Sequence, residues 1–263
     1  MAQSSQQFGD INVSVDQANV AVVEIQRPPH NFFSLEMLYD LATAFEAVDA
    51  DDDARAIVLA AEGKNFCGGA DFAGSGSDIV SAKLKGRHIY DEAVRLFSCR
   101  KPVVAAVQGA AIGGGLGLAA MADFRVGGPS TRMATNFARL GFHQGFGLSI
   151  TLPAIVGQQH ALRMLYTGVR LNGEEAKSMG LLDCFVDDDL IRETATGFAA
   201  EIAGSAPLAV ESIRQTMRGH LPAAIAAATA RERAEQERLQ QTEDWVEGTA
   251  AMAARRAPNF KRR

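Results

Sequence analysis

Two glycine-rich stretches carry the chemistry that residue type and spacing can suggest. In "AAIGGGLGLAAMAD", Ala110 to Asp123, three consecutive glycines (Gly113 to Gly115) separate a strand-like run from a helix-like one. Bare backbone at such a helix start offers N–H groups, reinforced by the helix dipole, to an anion or to an oxygen that gains charge during reaction. Upstream, "GKNFCGGADF" (Gly63 to Phe72) also runs from a strand end into small residues and then a polar one. Two backbone sites of this kind, converging on one oxygen, are the minimum equipment for stabilising an enolate or a tetrahedral oxyanion of a thioester.

Glycines also serve tight turns and close packing, and Gly115 to Ala120 fits the G-x-G-x-x-A dinucleotide fingerprint. That fingerprint requires an acidic residue roughly 20 positions on, to hold the ribose. No Asp or Glu occurs from Phe124 through Gly173, which argues against a bound dinucleotide.

The elements that must position these stretches follow from pattern. "VAVVEIQRP" (from Val20) and "RAIVLAAEG" (from Arg55) are short β-branched runs ending at Pro or Gly, as strands do. Between them Leu35, Leu38, Leu41, Phe45 and Val48 recur at helical spacing, giving a β-α-β unit. "KPVVAAVQG" and "DFRVGG" add strands on either side of the glycine stretch, and this alternation predicts an α/β layered fold. From about Gly145 the pattern turns helical. The last part, rich in alanine and mixed charge, predicts a helical tail that packs on a neighbouring subunit. The expected division is an α/β core over residues 1–200 and a helical oligomerisation region over 201–263.

Composition removes several classes. The chain has 263 residues, 47% of them hydrophobic, enough for a substantial core, and its net charge of −5 leaves no basic footprint for nucleic acid or an anionic membrane. With no leader pattern and no long apolar run, a cytoplasmic location is the expectation. Cys67, Cys99 and Cys184 lack metal-ligand spacing and read as reduced thiols, so neither a metal nor a disulfide framework is expected. Cys67 adjoins Gly68 without an obvious base beside it and reads as a small packing residue.

The ordered set "RPPHNFFSLEM", "GKNFCGGADF", "KPVVAAVQGAAIGGGLGLAAMAD", "LGFHQGFGLSITLPAIVG", "YTGVRLNGEEAKSMGLLD" and "RRAPNFKRR" resembles the crotonase family, the enoyl-CoA hydratase/isomerase superfamily, over nearly the whole chain. The resemblance implies a spiral of β-β-α units with a C-terminal trimerisation region, assembled as a trimer or a dimer of trimers. It implies an acyl-CoA thioester as substrate, as in fatty acid metabolism, with no separate cofactor. Gly68 and Gly114 would donate the two N–H groups of the oxyanion hole. Arg27, His30 and Asn31, the segment Ala70, Asp71 and Phe72, and the C-terminal Phe260 and Lys261 would contact coenzyme A. Ile112, Leu116, Gly117, Asn136, Phe137 and His88 would line the acyl pocket.

The departures bear on the reaction. Where hydratases of the family carry their two glutamates, this chain has Gly117 and Phe137. Ordinary hydration is therefore not the expected reaction, and Phe137 implies an apolar wall suited to a hydrophobic or aromatic acyl group. His143, whose imidazole titrates near neutral pH without tuning, is the candidate replacement acid or base. His88 is a second, while Asp91 and Glu92 on the same helix read as a solvated face. Three functions remain: enolate chemistry without the carboxylate pair, as in a decarboxylase or hydrolase; a non-catalytic acyl-CoA-binding subunit; and the disfavoured dinucleotide enzyme.

Overall fold

The computed structural model describes residues 5–70 and 84–263. Along the chain run β1 (Ser5–Phe8), β2 (Ile11–Val15), β3 (Val20–Ile25), α1 (Leu35–Asp49), β4 (Ala56–Ala61), α2 (Ile89–Phe97), β5 (Val103–Val107), β6 (Ala110–Ile112) and α3 (Gly114–Met121). They are followed by β7 (Phe124–Gly127), β8 (Arg132–Ala134), α4 (Leu148–Val156), α5 (Gln158–Thr167), β9 (Arg170–Asn172), α6 (Gly173–Ser178) and β10 (Cys184–Phe185). Four helices close the chain: α7 (Ile191–Ala203), α8 (Pro207–Arg218), α9 (Leu221–Leu239) and α10 (Glu243–Ala253).

The expected spiral is present. One sheet has the order β1-β2-β3-β4-β5-β7-β10, parallel from β3 onward, and the second has the order β6-β8-β9. Each turn of chain places one strand in the large sheet and its next extended piece in the second layer. There Phe33 bridges Ala70, Cys67 bridges Ala111, and β6 pairs in parallel with β8. This stacking brings the Cys67–Gly69 segment against the start of α3.

Strand alternation feeds two cores. In β4, Ile57 and Leu59 join the main core, while Ala56, Val58 and Ala60 face the opposite side, which α7 covers with Ile191, Ala195, Ala199 and Ala203. The core therefore runs through Ala203 rather than ending at residue 200. Part of the helical tail packs within the chain itself. Ile225 of α9 is fully buried in the main core, and α9 packs on α2 and α4 of its own chain. Of the four closing helices, α8 alone buries no residue; it leaves Leu208, Ile213 and Met217 exposed.

Helix α2 is anchored by charge. Glu92, expected on a solvated face, is fully buried and accepts from Arg87 Nε and Arg95 Nη1, both at 2.5 Å. Both guanidinium groups lie over the Tyr39 ring of α1, and Arg95 also pairs with Glu46. Neighbours in sequence point about 100° apart around a helix, and only Asp91 is exposed, where it completes the capping box of α2. Glu92→Gln removes a charged acceptor shared by two arginines and should cost about 2 kcal/mol in chemical denaturation. A loss no larger than that of Asp91→Asn would show that the pairing contributes nothing.

Candidate active site

The start of α3 allows no side chain. A Cβ on Gly115 would overlap the Cys67 carbonyl, and one on Gly114 would overlap the Phe33 ring. Gly113 turns the chain into the helix at φ +58, a region open to glycine at little cost. The Gly114 N–H thus heads α3 at the wall of a cavity of about 530 Å³, with no acceptor among the described backbone groups. Gly69, at φ +87, flanks it: a Cβ there would lie 3.5 Å from Gly114 N and 3.7 Å from Gly115 N.

Gly68 is placed differently from its expected role. It lines the cavity, but its N–H is donated to the His30 carbonyl at 2.8 Å. The acceptor is held by Asn31, at φ +49 and fully buried, whose amide donates to Glu62 O at 2.9 Å and Asn65 O at 2.6 Å. Its Oδ1 accepts from Arg27 N at 3.0 Å. Asn31 is therefore a loop clamp rather than a surface contact. Of the two expected donors, Gly114 alone has its N–H uncommitted among the described residues.

The cavity is largely aromatic and aliphatic. Phe32, Phe33, Phe137, Phe142 and Phe146 line it with Ile89, Ile112 and Met252; Asn136, expected in the acyl pocket, and Ala70, expected at coenzyme A, also lie in its wall. Two other expected pocket residues do not line it. Leu116 points into the main core, and Gly117 lies beneath Phe146, whose Cβ is 2.6 Å from where a Cβ on Gly117 would stand. At the two positions where the resemblance implies glutamates, Gly117 is covered by Phe146 and Phe137 lines the cavity. Phe146 itself has φ +59, a conformation that costs a residue with a Cβ about 1–2 kcal/mol.

His143 is a correction. It is not among the cavity-lining residues; its Nδ1 lies 2.8 Å from Gln144 O. His88 does line the cavity, as the N-cap of α2. Its Nδ1 accepts the Tyr90 N–H at 3.1 Å, which places the ring proton on Nε2. Burial, with the charge of Arg233 nearby, pushes its pKa down to about 4, so it is neutral at pH 7 and presents a donor, not a base. The Cys67 thiol is pushed up to about 12 by burial and is no nucleophile.

Sequence reading missed the contribution of α9. Arg233, Gln236, Glu237 and Gln240 close one side of the cavity. Gln236 accepts from Tyr90 Oη at 2.7 Å and donates to His143 O at 2.9 Å, a brace joining α2, α9 and the loop before α4. Burial drives the Tyr90 phenol above its ordinary range. Glu237 is the one carboxylate among the described lining residues, and it is ion-paired with Arg233 at 2.8 Å on the exposed side of α9.

The remaining expected coenzyme contacts are distributed. His30 lines both this cavity and an adjoining one of about 390 Å³ that includes Arg27 and Asp10; Arg27 pairs with Asp10 at 3.3 Å. Phe260 and Lys261 line neither cavity. The Lys261 N–H is donated to Asp244 of α10, fixing the terminal segment there. Asp71 and Phe72 lie outside the described residues. Among the described residues no cluster of His, Cys, Asp and Glu could hold a metal, and no helix is long and apolar enough to cross a membrane.

Residues 15–263 match the family described as Enoyl-CoA hydratase/isomerase. The chain belongs to that family. It is 30% identical to a probable enoyl-CoA hydratase of Bacillus subtilis over 95% of this chain and 98% of that one. It is 35% identical to a probable enoyl-CoA hydratase of Mycobacterium tuberculosis over 74% of this chain and 77% of that one. A crystal structure of an enoyl-CoA hydratase/isomerase from Pseudoalteromonas atlantica superposes with a TM-score of 0.86 at 29% identity, covering 96% of this chain and all of that one. Within this enoyl-CoA hydratase/isomerase fold, Phe146 covers Gly117 and Phe137 lines the cavity, Gly117 and Phe137 being the positions where the resemblance implied acids.

Neutral His88 carries a pH signature. Its folded pKa of about 4 lies below the ordinary 6.5, so between those values the unfolded chain binds the extra proton and stability falls as pH is lowered. His88→Asn, which keeps a capping side chain, should flatten the dependence of Tm on pH across that window. An unchanged slope would mean that His88 does not titrate as described.

Proposed function

We propose that this chain acts on an acyl-CoA thioester by stabilising its enolate at the Gly114 N–H, without the carboxylate pair that hydration uses. The observation that supports this most is the Phe146 ring over Gly117, with Phe137 across the cavity, where the two acids would stand. A thioester oxygen at the start of α3 meets a bare N–H and the positive end of the helix dipole in an apolar cavity, where such a donor is worth about 10²–10³-fold in rate. Loss of general acid–base help costs about 10²–10⁴-fold. Reactions that need no proton abstraction are therefore favoured.

Decarboxylation of a β-carboxy thioester is the reading that fits. The bond from Cα to the carboxylate breaks, CO2 leaves, its electron pair passes into the enolate, and the enolate takes a proton from solvent. His88, neutral with its Nδ1 engaged, supplies no base for the competing reactions and donates only through Nε2–H. The apolar wall suits the hydrocarbon part of such an acyl group and favours loss of its charged carboxylate as neutral CO2, and coenzyme A arrives with the substrate, so no further cofactor is required.

The test is turnover of the purified protein on crotonyl-CoA and on methylmalonyl-CoA, with binding of both followed by calorimetry. CO2 release from the β-carboxy thioester, with crotonyl-CoA hydration far below the median enzyme turnover of about 10 s⁻¹, is the expected result. Hydration near that median would overturn the reading of the missing acids. Binding of both thioesters without turnover would overturn catalysis and leave a thioester-binding subunit.

A further inference from the structure

Glu232 of α9 is fully buried, and among the described residues no Lys or Arg pairs with it. Its carboxylate instead accepts three hydrogen bonds from neutral donors at the start of α4: Gly147 N–H at 2.9 Å, Ser149 N–H at 3.1 Å and Ser149 Oγ–H at 2.6 Å. Burying a charge this way is a poor route to stability when an apolar residue could fill the space. Its location gives it another use.

The donors belong to the turn in which the chain is left-handed twice in succession, at Phe146 (φ +59) and Gly147 (φ +74). Phenylalanine adopts this conformation only where its surroundings impose it. Helix α9 packs on this turn at two points, through Glu232 on the Gly147 and Ser149 donors and through Ile225, whose Cδ1 lies 2.5 Å from where a Cβ on Gly147 would stand. The consequence reaches the site. Phe146 covers Gly117, and its ring lies 5.8 Å from that of Phe33, the ring that packs on Gly114.

We propose that Glu232 is a positioning residue of the acyl pocket: by capping α4 it holds Phe146 left-handed, so that the Phe146 ring forms the wall beside the Gly114 N–H and grips the hydrocarbon part of the acyl group. The inference rests on the reading that the cavity receives the acyl part of a thioester. Glu232→Gln keeps the shape but replaces one acceptor by an NH2 group, which faces a donor. At least one bond to the turn is lost, and Phe146 is freed to take an ordinary conformation.

The experiment compares calorimetric binding of butyryl-CoA and of free CoA to the wild type, Glu232→Gln, Phe146→Ala and the double variant. The ratio of the two Kd values reads the acyl pocket separately from coenzyme binding and from stability. The wild type should prefer butyryl-CoA, and each single variant should lose about tenfold of that preference. The double variant should lose no more than the worse single one, because the two residues act through one ring. An unchanged ratio in Glu232→Gln, even with a lower Tm, would reduce Glu232 to a helix cap and overturn the proposal. So would losses that multiply in the double variant. Should Glu232→Gln fail to fold, Ser149→Ala removes one of the three bonds: a smaller loss of preference that disappears in the Phe146→Ala background supports the proposal, and an unaltered ratio overturns it. A wild type that binds free CoA and butyryl-CoA equally well contradicts this inference while leaving coenzyme binding intact. One that binds neither contradicts the acyl-CoA reading itself, and this inference with it.

Discussion

Where α3 begins, backbone lies directly against backbone. The Cys67 carbonyl fills the space that a Cβ on Gly115 would need, and Phe33 fills that of Gly114. The spiral makes this contact possible, because Phe33, the Cys67–Ala70 segment and β6 stack in parallel as successive pieces of the second layer. A larger residue at either glycine would lift the helix from the layer and carry its first N–H groups away from the cavity. Fold and site therefore depend on the same few ångströms of bare chain, as a helix terminus requires when its unpaired amides serve chemistry.

Around that contact, polar groups are mostly consumed in holding the walls. Tyr90 and Gln236 satisfy each other and the loop carbonyls, Asn31 clamps its loop, and His88 gives its Nδ1 to the cap of α2. Apart from the polar edge that Arg233, Glu237 and Gln240 supply, the lining is largely aromatic and aliphatic. Such a cavity strengthens the few donors left in it, since low dielectric raises the worth of each hydrogen bond, and it disfavours any charged base. The electrostatics favour stabilising a charge that develops on the thioester oxygen over moving protons between side chains.

Much of this was legible in the sequence. The strands around the glycine stretches, the helix beginning at Leu35 and the two glycine segments follow from local spacing, and local spacing is what backbone geometry imposes. Glu92 was misread because its charge suggested solvent, and sequence does not show the partners that wait inside; Arg87 and Arg95 made a buried position tolerable. The role of α9 was hidden for a related reason. Its buried stripe, Ile225, Thr229, Glu232 and Gln236, has helical spacing but contains one large apolar residue, so apolar periodicity does not reveal it. His143 and Gly68 show the limit of carrying roles by position. The Gln144 carbonyl, from the very next residue, holds the His143 imidazole, and the carbonyl of His30, distant in sequence, takes the Gly68 amide; residue type at a matched position reveals neither contact.

The central claim is that the α3 terminus polarises a thioester carbonyl. The most direct measurement is the vibrational difference spectrum of an acyl-CoA labelled with 13C at the thioester carbonyl, bound to the wild-type protein. A donor at Gly114 weakens the C=O bond, so the stretch should move to lower frequency than that of the same thioester in water. A bound thioester whose carbonyl stretch stays at or above its solution frequency would contradict the account.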